Sequence, residues 1–176
     1  MTVTLDRRLG LRTIVDDHVQ TWSVRTGAQR TSDRRRAATW YYGTPLALAA
    51  PLLVWHVEVQ GVGQLLSGVA VFTALLFGLL VLMFNTGLAV RKDAKALTNA
   101  HDTRRVVADV RANATYAAVV AIILAMTLVV GAALTPPVHG LAWGWTPLLV
   151  FLFVHLALTL LTILARFRTA FNYLTR

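Results

Sequence analysis

The sequence predicts an all-α polytopic membrane protein, a four-helix transmembrane bundle with both termini cytoplasmic, on three observations. Residues 64–135 hold two apolar arms, QLLSGVAVFTALLFGLLVLMFNTGLAV and ATYAAVVAIILAMTLVVGAALT, each long enough for the ~20 residues that cross ~30 Å of hydrocarbon. The stretch between them, RKDAKALTNAHDTRRVVADVRAN, is too charged to lie in lipid, so both arms reach water on one side. All 17 Lys and Arg fall within 1–36, 91–111 and 166–176, and none lies in the two remaining loops, about 59–64 and 136–146. Cytoplasmic loops keep basic residues, so the three basic segments face the cytoplasm.

Composition agrees with that class. The chain has 176 residues, is 56% hydrophobic and has a mean hydropathy of +0.60, which fits one multi-span domain rather than a soluble one. Zero cysteines exclude disulfides, thiolate metal sites and thiol redox chemistry. Fifteen Arg against two Lys, with abundant Ala, Val and Leu, is the bias of a GC-rich bacterial genome and points to an inner membrane. A net charge of +9 would suggest nucleic acid for a soluble protein. Here the charge first sets orientation. It then attracts anionic lipid headgroups on the cytoplasmic side, at roughly 1 kcal/mol per basic residue near the surface.

Two regions follow, a basic amphipathic segment over 1–36 and a membrane domain over 37–176. In the first, Leu11, Ile14, Val15, Val19 and Trp22 share a helical face opposite Arg12, Thr13, Asp16, Gln20 and Ser23. This helix either lies on the membrane or docks on the cytoplasmic side of the bundle. With no apolar stretch before residue 37, targeting is expected to fall to the first span.

The first span is expected at about 38–58, with Trp40, Tyr41 and Tyr42 at one edge and Trp55 near the other. Pro45 and Pro51 each delete a backbone donor and predict helix kinks. The loop GVGQ is short, so spans one and two are expected to be antiparallel neighbours. Span two, about 64–90, carries Ser67, Ala70, Ala74, Gly78 and Asn85 along one side, and span three, about 113–135, carries Ala114, Ala117, Ala118, Ala121 and Ala125. Helices pack in lipid through close approach at small residues, so these stripes are expected to face each other or a second protomer. The cytoplasmic hairpin between them is expected to reverse at TNAHD, with Asp102 as cap and ion pairs between its arms. Pro136 and Pro137 stop span three. Thr146–Pro147 reads as a cap for span four, about 147–166, whose helical continuation carries Phe167, Phe171 and Leu174.

Few residues offer chemistry. His155 lies near the middle of span four, and Thr159, Thr162 and Arg166 share its face. That polar stripe reads either as an ion or proton path, since imidazole titrates near neutral pH, or as interhelical hydrogen bonding with the threonines bonded back into their own helix. His56, Glu58 and His139 are candidate metal ligands, but His56 and Glu58, two apart, diverge on a helix, so no metal site is expected. No phosphate loop, paired carboxylates or nucleophile elbow is present, so neither an enzyme nor a cofactor is expected. The leading expectation is a small non-enzymatic inner-membrane protein that self-associates into a homo-oligomer and permeates ions or perturbs the membrane. Its first rival is an accessory or anchoring subunit of a larger complex, docking a partner through the hairpin, the N-terminal helix and the Phe167/Phe171 tail. The second is a small transporter with a site near the polar face of span four.

Overall fold

The computed structural model describes residues 10–22, 28–92, 100–134 and 141–174. Among them the chain is helical. The elements are α1 (Leu11–Gln20), α2 (Ala28–Ala38), a π turn (Thr39–Gly43), α3 (Thr44–Trp55), α4 (Val62–Lys92), α5 (Ala100–Leu134) and α6 (Thr146–Leu174). Three helices are long and apolar enough to cross a membrane, over Val62–Asn85, Ala108–Leu134 and Thr146–Arg168, with mean hydropathies of 2.6, 2.7 and 2.7.

Packing runs in the order α4, α5, α6, α3, with α1 laid on α5. The neighbour expected for the first span is thereby corrected: α3 packs along α6, not along α4. The α3–α4 connection, residues 56–61, can extend to about 20 Å, enough to step past a helix at the usual 8–10 Å spacing. His56 ends α3 in a left-handed conformation (φ 49°), and Gly61 (φ 70°) turns the chain into α4. This linker is tied to the start of α6 at the opposite end of the bundle from α1. Leu141 N–H donates to the Val59 carbonyl at 2.7 Å and the Thr146 hydroxyl donates to the Val57 carbonyl at 2.6 Å. Thr146 therefore ties α6 to the other linker instead of capping its own helix. Leu141 is buried against Gly131, where an added Cβ would lie 3.0 Å from its Cδ1.

α4 meets α5 through Val69, Leu76 and Met83, spaced seven apart, with Leu65, Leu66, Leu79 and Leu80 beside them. α5 is the central helix. Its Ala114, Ala117, Ala118 and Ala121 are buried and let neighbouring backbones approach, while Val110, Leu124 and Leu128 fill the spaces between. Leu149, Leu156 and Ile163 repeat the seven-residue spacing on α6.

The stripe expected on span two is corrected in part. Ser67, Ala70, Ala74, Gly78 and Asn85 lie on the exposed side of α4, not against α5; on the facing stripe, Ala117 and Ala121 are buried and Ala125 is half-buried. Only 11% of the α4 span is buried, against 39% of the α5 span, and Val71, Phe72, Leu75, Phe77, Val81 and Phe84 point outward with it. An exposed apolar face of this extent suits lipid or another protein, not water. Asp102 lies within the first turn of α5, not before it, and the hairpin residues 93–99 lie outside the described residues, as does His139.

Candidate functional site

At the end of the bundle where α1 docks, three helix faces and the π turn bring polar and aromatic side chains together. α5 supplies Asp109, Asn113 and Tyr116 at i, i+4 and i+7, and α6 supplies His155, Thr159, Thr162 and Arg166 on one face, as their spacing requires. The π turn adds Tyr41 and Tyr42, α1 adds His18, and the turn that follows it adds Thr21 and Trp22.

His155 is buried, and both ring nitrogens have partners. Nδ1 lies 2.9 Å from the Tyr41 carbonyl, which only accepts, so Nδ1 carries the proton. Nε2 is then the acceptor, and the Tyr116 hydroxyl donates to it at 2.7 Å. Pro45 explains why that carbonyl is available. In an α-helix the Tyr41 carbonyl would accept from the N–H four residues on, and position 45 has none. Pro45 is buried beside the π turn, whereas Pro51, inside α3, is exposed. The predicted break at Pro45 thus becomes an anchor for the predicted histidine.

The two threonines bond back into their own helix. Thr159 and Thr162 donate to the carbonyls of His155 and Leu158, each at 2.9 Å, and the Tyr41 hydroxyl bonds the Thr162 oxygen. The rings of Tyr42, Tyr116 and Phe151 enclose the imidazole.

A second layer lies above. Asn113 donates through Nδ2 to the Asp109 carbonyl at 2.8 Å, which turns Oδ1 toward α1. His18 Nδ1 donates to that oxygen at 2.7 Å, and its ring stacks on Tyr116 with centroids 3.9 Å apart and planes 3° from parallel. Trp22 stacks on Tyr41 at 5.0 Å. Arg166 pairs with Asp109 and donates to the Thr21 carbonyl, so a cation closes the C-terminal end of α1, where free carbonyls and the helix dipole favour one. Two such bonds at about 1 kcal/mol each, with a ring stack at about 0.5–1.5 kcal/mol, hold α1 by a few kcal/mol. Burial is the main influence on the His18 imidazole and lowers it from 6.5 to about 4; the Asn113 bond opposes this, and His155 and Arg166 add to it. His18 Nε2 and Trp22 Nε1 are buried without a partner among the described residues.

No family model, curated protein or solved structure matches this chain. What the cluster can do follows from its own chemistry. His155 Nδ1–H is held by a backbone carbonyl, which cannot take up a proton and pass it on, so among the described residues the Tyr116–His155 pair braces α5, α6 and the π turn as a strut.

The N-terminal helix resolves onto α5, with an inner face of Ile14, His18, Thr21 and Trp22 that is rotated from the expected stripe and leaves Leu11 and Val15 exposed. Of the acids expected to form ion pairs within the hairpin, Asp109 instead reaches across to Arg166 of α6, and the side chains of Asp93 and Asp102 lie outside the described residues. Sequence reading missed His18, Asn113, Tyr41 and Tyr116 as one constellation. The signals available were the i, i+4, i+7 run Asp109, Asn113, Tyr116 and the i, i+4 pair His18, Trp22. Of the candidate metal ligands, His56 bonds the Val54 carbonyl at 3.0 Å and stacks obliquely on Trp143 at 4.6 Å, and no group of three ligands occurs among the described residues.

Proposed function

We propose that the chain is a non-enzymatic bacterial inner-membrane protein with four spans and both termini cytoplasmic, which self-associates through the outward face of α4. The fourth crossing is the π turn and α3, whose five and twelve residues form a rod of about 25 Å, at the short end of spanning lengths. The observation that carries the reading is the outer side of α4. There Ser67, Ala70, Ala74 and Gly78 lie exposed, and a Cβ built on Gly78 meets nothing, so a second helix could approach closely. Any ion permeation would run between protomers, because His155 and Thr159 are buried and bonded within each one.

Docking of a larger partner is less favoured. α1 is engaged by α5, and Phe167 is packed against the core, so two surfaces that would receive a partner are used internally.

The test is subunit counting in lipid nanodiscs or by single-molecule photobleaching. The native chain should give dimers or larger assemblies, and Ala74→Ile with Gly78→Ile should give monomers. A monomeric native chain would overturn the proposal. Ion flux from liposomes, lost together with assembly, would add permeation to the reading.

A further inference from the structure

We propose that α1 is a latch over the Tyr116–His155 pair and that protonation of His18 releases it. The inference goes beyond self-association and does not depend on it. It starts from the hydrogen-bond order around His18. Because Asn113 Nδ2 is committed to the Asp109 carbonyl, Asn113 offers His18 only an acceptor, and His18 Nδ1 must carry its proton. A second proton goes to Nε2, which is buried and has no partner among the described residues.

Among the described residues, the groups around the ring offer that proton no acceptor. From α5 come the Asn113 amide, the face of Tyr116 and, one turn away, Asp109, whose carboxylate is held by Arg166. α6 contributes the Arg166 guanidinium and the His155 imidazole, both of which disfavour a cation at His18. The edge of Tyr41 faces it from the π turn. Trp22, just past the end of α1, packs edge-on, and on α1 itself Asp16 and Asp17 are exposed. Stacking on Tyr116 favours a cation modestly but supplies no acceptor for the new N–H. The cation is accommodated by taking the ring into water, which means lifting α1.

The size of the effect follows from linkage. The docked imidazole binds its proton less well, about 4 against 6.5, so its contribution to docking is fully present above 6.5 and is lost as pH falls from there toward 4. Between pH 7.5 and 5.5 the ratio of released to docked α1 should rise about tenfold. Release uncovers Tyr116 and frees Arg166 from Thr21, while the His155 strut beneath keeps both its bonds. With the termini cytoplasmic, the pH sensed is that of the cytoplasm.

The experiment is amide hydrogen exchange of residues 11–22 in the full chain, in lipid nanodiscs where both faces meet the buffer, so that neither orientation nor assembly enters. Rates are corrected for intrinsic exchange at each pH. The native chain should show an opening constant about tenfold larger at pH 5.5 than at 7.5. The change should disappear in His18→Gln, which retains a donor toward Asn113, and persist in His155→Gln and Asp109→Asn. Equal protection at both pH values in the native chain, or a tenfold change surviving in His18→Gln, overturns the proposal. If His18→Gln leaves α1 unprotected throughout, the decision passes to nuclear magnetic resonance titration of His18 in the native chain: a midpoint below 6.5 supports the latch, and one at or above it overturns it.

Discussion

Replacing His155 with leucine separates a strut from a proton site. Leucine fills a similar space but neither donates nor accepts, so the Tyr116 hydroxyl and the Tyr41 carbonyl both lose partners held at 2.7 and 2.9 Å. An orphaned buried group costs about 1–3 kcal/mol in a water-soluble protein. Within a bilayer, measured side-chain bonds average about 0.6 kcal/mol and reach about 1.7 kcal/mol, because the unfolded chain also finds partners there. The carbonyl adds to the loss, since Pro45 denies it a helical donor. The sum is a loss of about 2–4 kcal/mol for His155→Leu. Tyr116→Phe in the native background should cost about 1 kcal/mol, and the double variant should cost less than the two singles together by about that amount. The assay is reversible unfolding in bicelles by steric trapping, with proton flux from liposomes measured on the same preparations. A neutral His155→Leu with no coupling to Tyr116, alongside altered proton flux, would refute the strut.

Other outcomes follow from the same contacts. Gly131→Val should push against Leu141, detach the linker bridge to Val59 and cost about 1–3 kcal/mol in the same unfolding assay. Leu124→Ala, at a fully buried position of the central helix, should cost about 2–5 kcal/mol and lose cooperativity before it loses helix content by circular dichroism. Arg166→Gln leaves Asp109 without its cation and Thr21 with a weaker donor, so hydrogen exchange of α1 should quicken at pH 7.5 while that of α4 stays unchanged. Because the chain has no cysteine of its own, single cysteines at Trp143 and Arg111 should report orientation. An impermeant thiol reagent added to intact cells should label the first and spare the second, and the reverse would invert the proposed topology.

The membrane class and the three long helices were legible because hydrocarbon imposes a length and a composition that no tertiary contact can override. Val62–Lys92, Ala100–Leu134 and Thr146–Leu174 cover the stretches that apolar runs and prolines marked out. Periodicity also put His155, Thr159, Thr162 and Arg166 on one face, and the structure uses that face. Which faces meet was not legible. In water, hydrophobicity tells the inside of a helix from its outside; in lipid, both sides of α4 are apolar, so the choice of Val69, Leu76 and Met83 over Ala70, Ala74 and Gly78 rests on the fit to α5. The partners of His155 were hidden for another reason. Tyr41 and Tyr116 are 114 and 39 residues away in sequence, and one contributes only a backbone carbonyl, which carries no side-chain signature. Sequence alone determined that this chain carries membrane-length helices and a polar face on the last of them. Only the tertiary structure decided that this face is closed by Tyr116, a proline-freed carbonyl and a docked N-terminal helix, because pairing between distant segments depends on shape and not on local composition.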